Sequence, residues 1–320
     1  MRKYLTLILF VGSSAFTSLQ TFGQTSLKYV KKLSAKTETT FHSPIFTTDG
    51  DFVIAAGVNG SICKWNLKEE SPKKQKELDD KAIYAVAITP NAKQVVTGGN
   101  SGILYICDAE SFEVVNKIEG FSSIQKITIA PNSEIAYIQT SGKCKLINLA
   151  TQRVIADAGY SLAFNAFFST DSKTLYHCSR KTNLSITNTA DGTVLKTINI
   201  KKEIYNLVLA PDEHTMIVGV QEGYGETTIL KIVNLETETI SNLFEKTNPG
   251  DYGTPLCLVP NSDKIAFHCY SGVYTLNFKT LETKKIDDFD AMEMKINEAG
   301  NFAIAVARRE DGVRLLEIKK

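Results

Sequence analysis

The sequence lacks an excess of either charge, because 36 Lys and Arg residues accompany 35 Asp and Glu residues. Proteins that bind nucleic acid through its phosphates concentrate positive charge on one surface. The near balance of charge removes that electrostatic signature, and we expect no nucleic-acid partner.

The sequence also lacks both a hydrophobic run of membrane-spanning length and a window of helical periodicity. The apolar run within residues 5–16 is far short of the roughly 20 residues that a transmembrane helix needs. Elsewhere the apolar residues form strand-sized runs separated by Gly, Pro, Asn and Asp, which favours an all-β fold. With 320 residues, 43% of them hydrophobic, the chain can bury a substantial core.

The first 23 residues have the pattern of a secretory signal peptide. Arg2 and Lys3 precede the short apolar run, and Thr21 and Gly23 place small residues at positions −3 and −1 of a cleavage site. A membrane anchor is the alternative, but the run is short for one. We predict cleavage after residue 23, no membrane insertion afterwards, and a periplasmic or secreted mature protein spanning residues 24–320.

The six cysteines lack the dense spacing of a small disulfide-stapled domain. They lie in apolar runs spread through the chain, which favours buried free thiols. Cys257 and Cys269 are the one pair that could meet, on neighbouring strands of one predicted hairpin. The sequence does not fix the register of that hairpin, so a bridge between them stays open.

Two landmarks recur about every 40 residues, the first at a spacing of 40–46 residues, which indicates seven units. The first is Asn, Asp or Glu after an apolar run, at Asn66, Asp108, Asn148, Asn188, Asn234, Asn277 and Glu317. The second is a turn-forming segment upstream of each: TTDGD at 47, TPNAK at 89, APNSE at 130, STDSK at 169, APDEH at 210, VPNSD at 259 and NEAGN at 297. The second unit shows that each parses into four short strands: IYAVAIT, QVVTGG, ILYICD and VVNKIE.

These units resemble the blades of WD40-like and YVTN-type β-propellers. In those families an S-P-D-G-K segment begins the inner hairpin and an apolar-Asp pair ends the third strand. The resemblance is to a degenerate version, because the Gly-His dipeptide is absent and only Trp65-Asn66 approaches the Trp-Asp pair. It implies a single seven-bladed β-propeller with four antiparallel strands in each blade.

The seventh unit stops after three strands, so the predicted ring lacks one strand. The segment SLKYVKKL, residues 26–33, resembles the fourth strand of the other units. We predict that residues 26–33 pair beside Arg314 and its neighbours up to Ile318 and close the ring, because an open edge strand invites aggregation.

The candidate binding residues follow from the fold, since propellers bind ligands where the loops before the inner strands converge. The candidates at this channel mouth and on the overhanging loop 245–254 are Tyr84, Lys126, Asn165, Tyr205, Asn206, Tyr252 and Glu293. We expect the tyrosines and asparagines among them to lie near one another on units four to six, apart from Tyr84. The loop 245–254 also fits a tolerated surface insertion.

The sequence offers few candidates for catalysis. His42 and Glu293 are the only metal-ligand types at the predicted mouth, which is too few for a divalent metal site. His177 and His268 lie in predicted second strands, where a structural role is favoured. Gly223-Tyr224-Gly225 lacks the ending of a phosphate-binding loop and fits a hairpin loop. We therefore expect no catalytic residues, no cofactor and no metal.

The sequence predicts a binding or scaffolding module for a protein, peptide or glycan of the cell envelope, acting as a monomeric propeller. The alternative is a lactonase-like or other hydrolase that uses the channel mouth, and a cofactor-binding redox propeller lacks supporting ligand spacing. The charged run at 68–81 is interpreted as the outer edge of the first unit, where charge protects an exposed strand.

Overall fold

The computed structural model describes residues 26–36, 39–69, 71–160, 165–222, 227–247, 256–269, 272–289, 291–307 and 312–319. Within these ranges every regular element is a β-strand, and 28 strands form seven four-stranded antiparallel sheets. The predicted seven-bladed, all-β architecture is confirmed. The described residues contain no helix long and apolar enough to cross a membrane. The predicted signal peptide, residues 1–23, lies outside them.

Each blade runs from an innermost strand at the central channel to an outer strand at the perimeter. The first three blades are β2 (Phe41–Phe46), β3 (Phe52–Gly57), β4 (Ser61–Asn66) and β5 (Lys74–Glu77); β6 (Ile83–Ile88), β7 (Gln94–Gly99), β8 (Leu104–Asp108) and β9 (Val114–Ile118); and β10 (Ile124–Ile129), β11 (Ile135–Thr140), β12 (Lys145–Asn148) and β13 (Arg153–Asp157). Blades four and five are β14 (Phe167–Phe168), β15 (Thr174–Arg180), β16 (Asn183–Asn188) and β17 (Val194–Asn199); and β18 (Glu203–Leu209), β19 (Thr215–Glu222), β20 (Thr227–Asn234) and β21 (Ile240–Thr247). Blade six is β22 (Leu256–Val259), β23 (Lys264–Cys269), β24 (Gly272–Asn277) and β25 (Thr283–Asp287). Blade seven combines β26 (Ala291–Ile296), β27 (Phe302–Ala307) and β28 (Val313–Lys319) with β1 (Ser26–Leu33).

The upstream landmark recurs because its side chains build the turn between the first and second strands. In blade two the Thr89 hydroxyl donates to Asn91 Oδ1 at 2.7 Å and accepts from the backbone N–H of Gln94 at 3.0 Å. The same Oδ1 accepts from the N–H of Lys93, and Ala92 takes a positive φ of 57°. A short side chain with an oxygen acceptor is therefore needed two residues after the Thr or Ser.

The downstream landmark caps the turn after the third strand in the same manner. Asp108 Oδ1 accepts from the backbone N–H of Ser111 at 2.7 Å, and Asn148 Oδ1 accepts from that of Thr151 at 2.8 Å. Asn234 and Asn277 accept comparable bonds. Asn and Asp repeat in the sequence at this point because they satisfy the backbone of a tight turn.

The core lies between neighbouring blades, so no sheet buries its faces alone. One apolar cluster joins Leu33 and Val53 to Val306 and Leu315, which belong to blades seven and one. Within it the Trp65 ring meets Phe41 edge-on at 5.0 Å between centroids, and its indole N–H donates to the carbonyl of Ser34 at 2.9 Å. The one tryptophan of the sequence therefore packs at the junction where the chain ends meet.

The predicted ring closure is confirmed. Strand β1 pairs antiparallel with β28, from Ser26 opposite Lys319 to Leu33 opposite Val313. The ladder is interrupted by a register shift between Tyr29 and Lys31. Blade seven thus takes its outer strand from the beginning of the described chain and its other three from the end.

All six cysteines are buried free thiols, as the sequence predicts. The register of blade six explains why Cys257 and Cys269 do not bridge. Cys257 lies opposite Ala266, three residues from Cys269 along β23, which is a separation of about 10 Å. A disulfide needs a Cα separation of about 4.4–6.8 Å.

The structure corrects one predicted boundary. Residues 245–247 belong to strand β21, which continues to Thr247, so the predicted loop 245–254 begins later than the sequence indicates. Paired antiparallel strands β20 and β21 are eight residues long, and their ladder extends to Thr227 opposite Thr247. The remainder of the loop, with Tyr252, lies outside the described residues, as does Gly223-Tyr224-Gly225 between β19 and β20.

Candidate functional site

A bulge in the inner strands decides which side chain points into the channel. The register of β6, β10, β18 and β26 shifts by one residue just before Ala85, Lys126, Asn206 and Glu293. A bulge leaves one residue unpaired and turns the next one. These four residues and the equivalent residues of blades one and four form what we name the mouth ring: Ser43, Ala85, Lys126, Asn165, Asn206 and Glu293. Ser43 lies within the irregular part of β2, and Asn165 precedes β14.

The residues preceding the mouth ring form a second set on the same side of the propeller, which we name the rim: His42, Tyr84, Gln125, Tyr205 and Met292. Gln125 and Met292 are exposed, with Met292 retaining 42% of its surface, and the other three are half-buried. The His42 and Tyr84 rings meet edge-on at 5.3 Å between centroids. Aromatic, Met and Gln side chains therefore surround the polar mouth.

The mouth ring contains an ion pair that crosses the channel. Lys126 of blade three extends its Nζ to within 2.5 Å of Glu293 Oε2 on blade seven and 3.1 Å of Ser43 Oγ on blade one. The second oxygen of Glu293 accepts from the backbone N–H of Ser43 at 3.2 Å and lies 3.7 Å from His42 Nδ1. One side chain thus ties three blades together at the mouth.

The environment keeps Glu293 ionised. Burial by itself raises the pKa of this carboxyl, but the charge of Lys126 and hydrogen bonds from His42, Lys126 and Ser43 outweigh it. The net result is a pKa well below the ordinary value for glutamic acid. A carboxylate held in this way is a poor general acid or base near neutral pH.

The other side of the mouth carries neutral amides. Asn165 Nδ2 donates to Asn206 Oδ1 at 2.6 Å, which joins blades four and five. Above them the Tyr205 hydroxyl donates to Glu203 Oε2 at 3.1 Å, and Glu203 also pairs with Lys181 at 2.9 Å. Asn165 and Asn206 are therefore in contact, and Tyr205 precedes Asn206 in β18, whereas Tyr252 lies outside the described residues.

Tyr84 sits on the charged side instead. Its hydroxyl accepts from Asn100 Nδ2 at 2.9 Å, and its backbone carbonyl accepts from the Ser43 hydroxyl at 2.9 Å. The latter bond places Ser43 where it can also meet Lys126. Six of the seven candidate residues thus lie at one end of the channel, in a charged half and an amide half.

The described residues contain no group of three or more His, Cys, Asp or Glu side chains arranged to hold a metal ion. His177 and His268 are buried in second strands, away from the mouth. His177 Nε2 lies 2.9 Å from the Thr187 hydroxyl, and burial lowers its pKa to about 4. This arrangement fits the structural role expected of it.

Below the mouth the channel widens into a cavity of about 1040 Å³. Two residues after each mouth-ring position, the alternation of the strand brings a further residue to the same face, and these form what we name the second ring: Ile45, Ala87, Thr128, Phe167, Val208 and Lys295. All of them except Val208 line the cavity. Sequence reasoning missed Lys295, although its position two residues after Glu293 in an alternating strand was the available signal.

No family model matches the chain. It is 26% identical over 157 residues to the protein LST8 homolog of Drosophila melanogaster, a match that covers 47% of this chain and 48% of the relative. The chain thus matches about half the length of that curated relative.

The fold is also similar to the crystal structure of the Cps50 (Swd1) β-propeller domain of Myceliophteria thermophila. The TM-score is 0.74 at 10% identity, and the likeness covers 92% of this chain and 100% of that domain. At this identity the likeness concerns the fold. Together with the seven four-stranded sheets, it shows that this chain has the fold of a seven-bladed β-propeller.

Proposed function

We propose that this propeller is an exported scaffold that binds a protein partner through the rim around its channel mouth. The observation that carries the proposal is the bulge repeated in the inner strands, which places one residue of each such blade on the same face. Propellers of the WD40 type typically serve as protein-binding scaffolds, and a rigid ring with a variable rim suits that use.

The chemistry of the rim supports binding of a protein more than catalysis. Tyr84, Tyr205 and Met292 are residue types enriched at protein interfaces, where aromatic and Met side chains supply contact area. Behind the rim, Lys126 and Glu293 form an ion pair, so each of these charges already has a partner. A partner can therefore dock on the rim without leaving a buried charge unpaired.

Affinity capture with rim variants tests this proposal. The purified protein is immobilised, partners from the native envelope fraction are identified, and the Kd of the recombinant partner is then measured. Tyr84→Ala, Tyr205→Ala and Met292→Ala should each weaken binding about tenfold or more if they lie at the centre of the interface. Tyr29→Ala is the matched control, because Tyr29 is 54% exposed on the outer strand β1.

Two outcomes would contradict the proposal. Equal affinity of the rim variants and the wild type would move the interface elsewhere, for instance to the perimeter. A loss of affinity with Tyr29→Ala alone would identify the outer strand of blade seven as the docking surface. If a glycan or a short peptide were recovered in place of a protein, the proposed binding site would stand and the proposed class of partner would change.

The compartment is part of the proposal and rests on the sequence of residues 1–23. Ring closure uses the chain from Ser26 onward, so cleavage after residue 23 would keep every described strand. Expression of the whole chain in a bacterial host, followed by intact-mass measurement, should give a mature protein beginning at Gln24 outside the cytoplasm. An unprocessed cytoplasmic product would refute export. Size-exclusion chromatography with light scattering should show a monomer.

A further inference from the structure

The channel contains one lysine whose charge is not balanced. Lys295 lies on β26 two residues after Glu293, so the alternation of the strand turns both side chains toward the channel. Glu293 is already paired with Lys126. Among the residues that the structure describes, none forms an ion pair or hydrogen bond with Lys295. Two ammonium groups therefore face one carboxylate in this part of the channel.

Apolar side chains make up most of the wall of the cavity that Lys295 lines. The other second-ring residues that line the cavity are Ile45, Ala87, Thr128 and Phe167. Ile88 and Ile129 extend the same lining along the channel. The cavity of about 1040 Å³ reaches the size of pockets that enclose a small organic ligand, for which mostly apolar walls and few polar groups are typical.

An isolated ammonium group is unfavourable in such a place. Burial lowers the pKa of Lys295, and the neighbouring charge of Lys126 lowers it further, whereas Cys257 and Glu293 oppose the shift. A bound anion would supply the missing opposite charge, and an apolar tail would cover the walls.

We propose that the channel is a binding site for a small amphipathic carboxylate, with its head group on Lys295 and its apolar tail along the second ring. The opposite end of the cavity favours this orientation. Asp49, Asp51 and Glu298 line that end together with the exposed Lys68, so the acids outnumber the lysine and a further negative charge there is disfavoured. At the near end the Lys126–Glu293 pair crosses the channel at the mouth.

The test uses dodecanoate as the probe, titrated into the purified protein by calorimetry below its micelle concentration. We expect saturable binding of one molecule per chain. Lys295→Met keeps the length and apolar volume of the side chain and removes the charge, so it should weaken binding about tenfold to hundredfold. Lys295→Gln should do the same, and Lys28→Met, an exposed lysine on β1, should not change the affinity.

Two further measurements locate the probe. Dodecyltrimethylammonium has a similar tail and the opposite charge, and it should bind at least tenfold more weakly than dodecanoate. Ala87→Phe places a ring in the second ring, and it should reduce dodecanoate binding while thermal melts confirm that the variant is folded. Equal binding of both probes, undiminished binding to Lys295→Met or to folded Ala87→Phe, or no binding to the wild type would each overturn the proposal. This test does not depend on the protein partner, so it can fail while the rim interface stands.

Discussion

The ring is tied together in two regions that use different forces. At the perimeter, β1 adds a backbone hydrogen-bond ladder to β28, and the apolar cluster containing Leu33 and Leu315 lies beneath it. At the mouth, three side chains of blades one, three and seven meet around Glu293. A ladder and an apolar core do not depend on the ionisation of any side chain, whereas an ion pair depends on pH and salt. We therefore expect the perimeter to contribute most of the stability of the ring closure, and substitutions at the mouth to leave the protein folded.

Deletion of residues 26–33 should have the largest effect, because it removes a whole strand. The variant would expose the edge of β28 and uncover Val53 and Val306, which pack against Leu33. We expect a sharp fall in the melting temperature, by more than 10 °C, or a protein that aggregates on expression. Differential scanning fluorimetry measures this, and an unchanged melt would show that the perimeter ladder contributes little.

His177 lies in a second strand and also makes the stability depend on pH. Its contribution must be removed before acid can distinguish the mouth from the perimeter. His177 has a pKa of about 4 in the folded protein and about 6.5 when unfolded. Between these values the unfolded chain binds a proton that the folded chain does not, so stability is lost as the pH falls from about 6.5 to 4. The difference corresponds to about 3 kcal/mol. Urea unfolding of His177→Gln should show a much smaller loss over this window than the wild type.

Glu293 affects the stability at a lower pH than His177 does. Its folded pKa is depressed, so its stabilisation is complete above the unfolded value of about 4.3 and is lost as the pH falls below it. In His177→Gln the remaining acid sensitivity should therefore begin below about pH 4.5. Retention of the whole loss above pH 5 would contradict both assignments.

Glu293→Ala should break the mouth and spare the perimeter. It leaves Lys126 beside Lys295 without a carboxylate, and removal of one partner from a buried pair is costly. The side chains of Lys126 and Glu293 keep 15% and 20% of their surface exposed, so we expect a loss of about 2 kcal/mol. Glu293→Gln should lose less, because an amide oxygen can still accept from the Ser43 N–H. Equilibrium urea unfolding at pH 7 measures both.

Much of the fold could be predicted because the turn chemistry repeats locally. Thr89 with Asn91, and Asp108 with Ser111, each act within six residues, so the same segments recur in the sequence and set the period. Closure by residues 26–33 followed from counting strands. Local patterns of this kind are visible without knowledge of which blades face one another.

The site was less predictable because its contacts cross the ring. Lys126 and Glu293 are 167 positions apart, and nothing in either segment indicates that a lysine of blade three reaches blade seven. The bulges before Ala85, Lys126, Asn206 and Glu293 are equally hidden. Residues 83–85, for example, read as an ordinary alternating strand. The sequence marks residues of both sets as candidates at the channel mouth, but it does not separate the rim from the mouth ring.

Replacing both members of the mouth pair should have the smallest effect and would complete the comparison. Lys126→Met with Glu293→Met exchanges the ion pair for apolar side chains of similar length, and such exchanges are often close to neutral because desolvation offsets the attraction. We expect a stability within about 1 kcal/mol of the wild type, and a double-mutant cycle with the two single variants should give a coupling of about 1–3 kcal/mol. A double variant as unstable as Glu293→Ala would mean that the bonds to Ser43 and His42, and not the pairing of charges, hold the mouth.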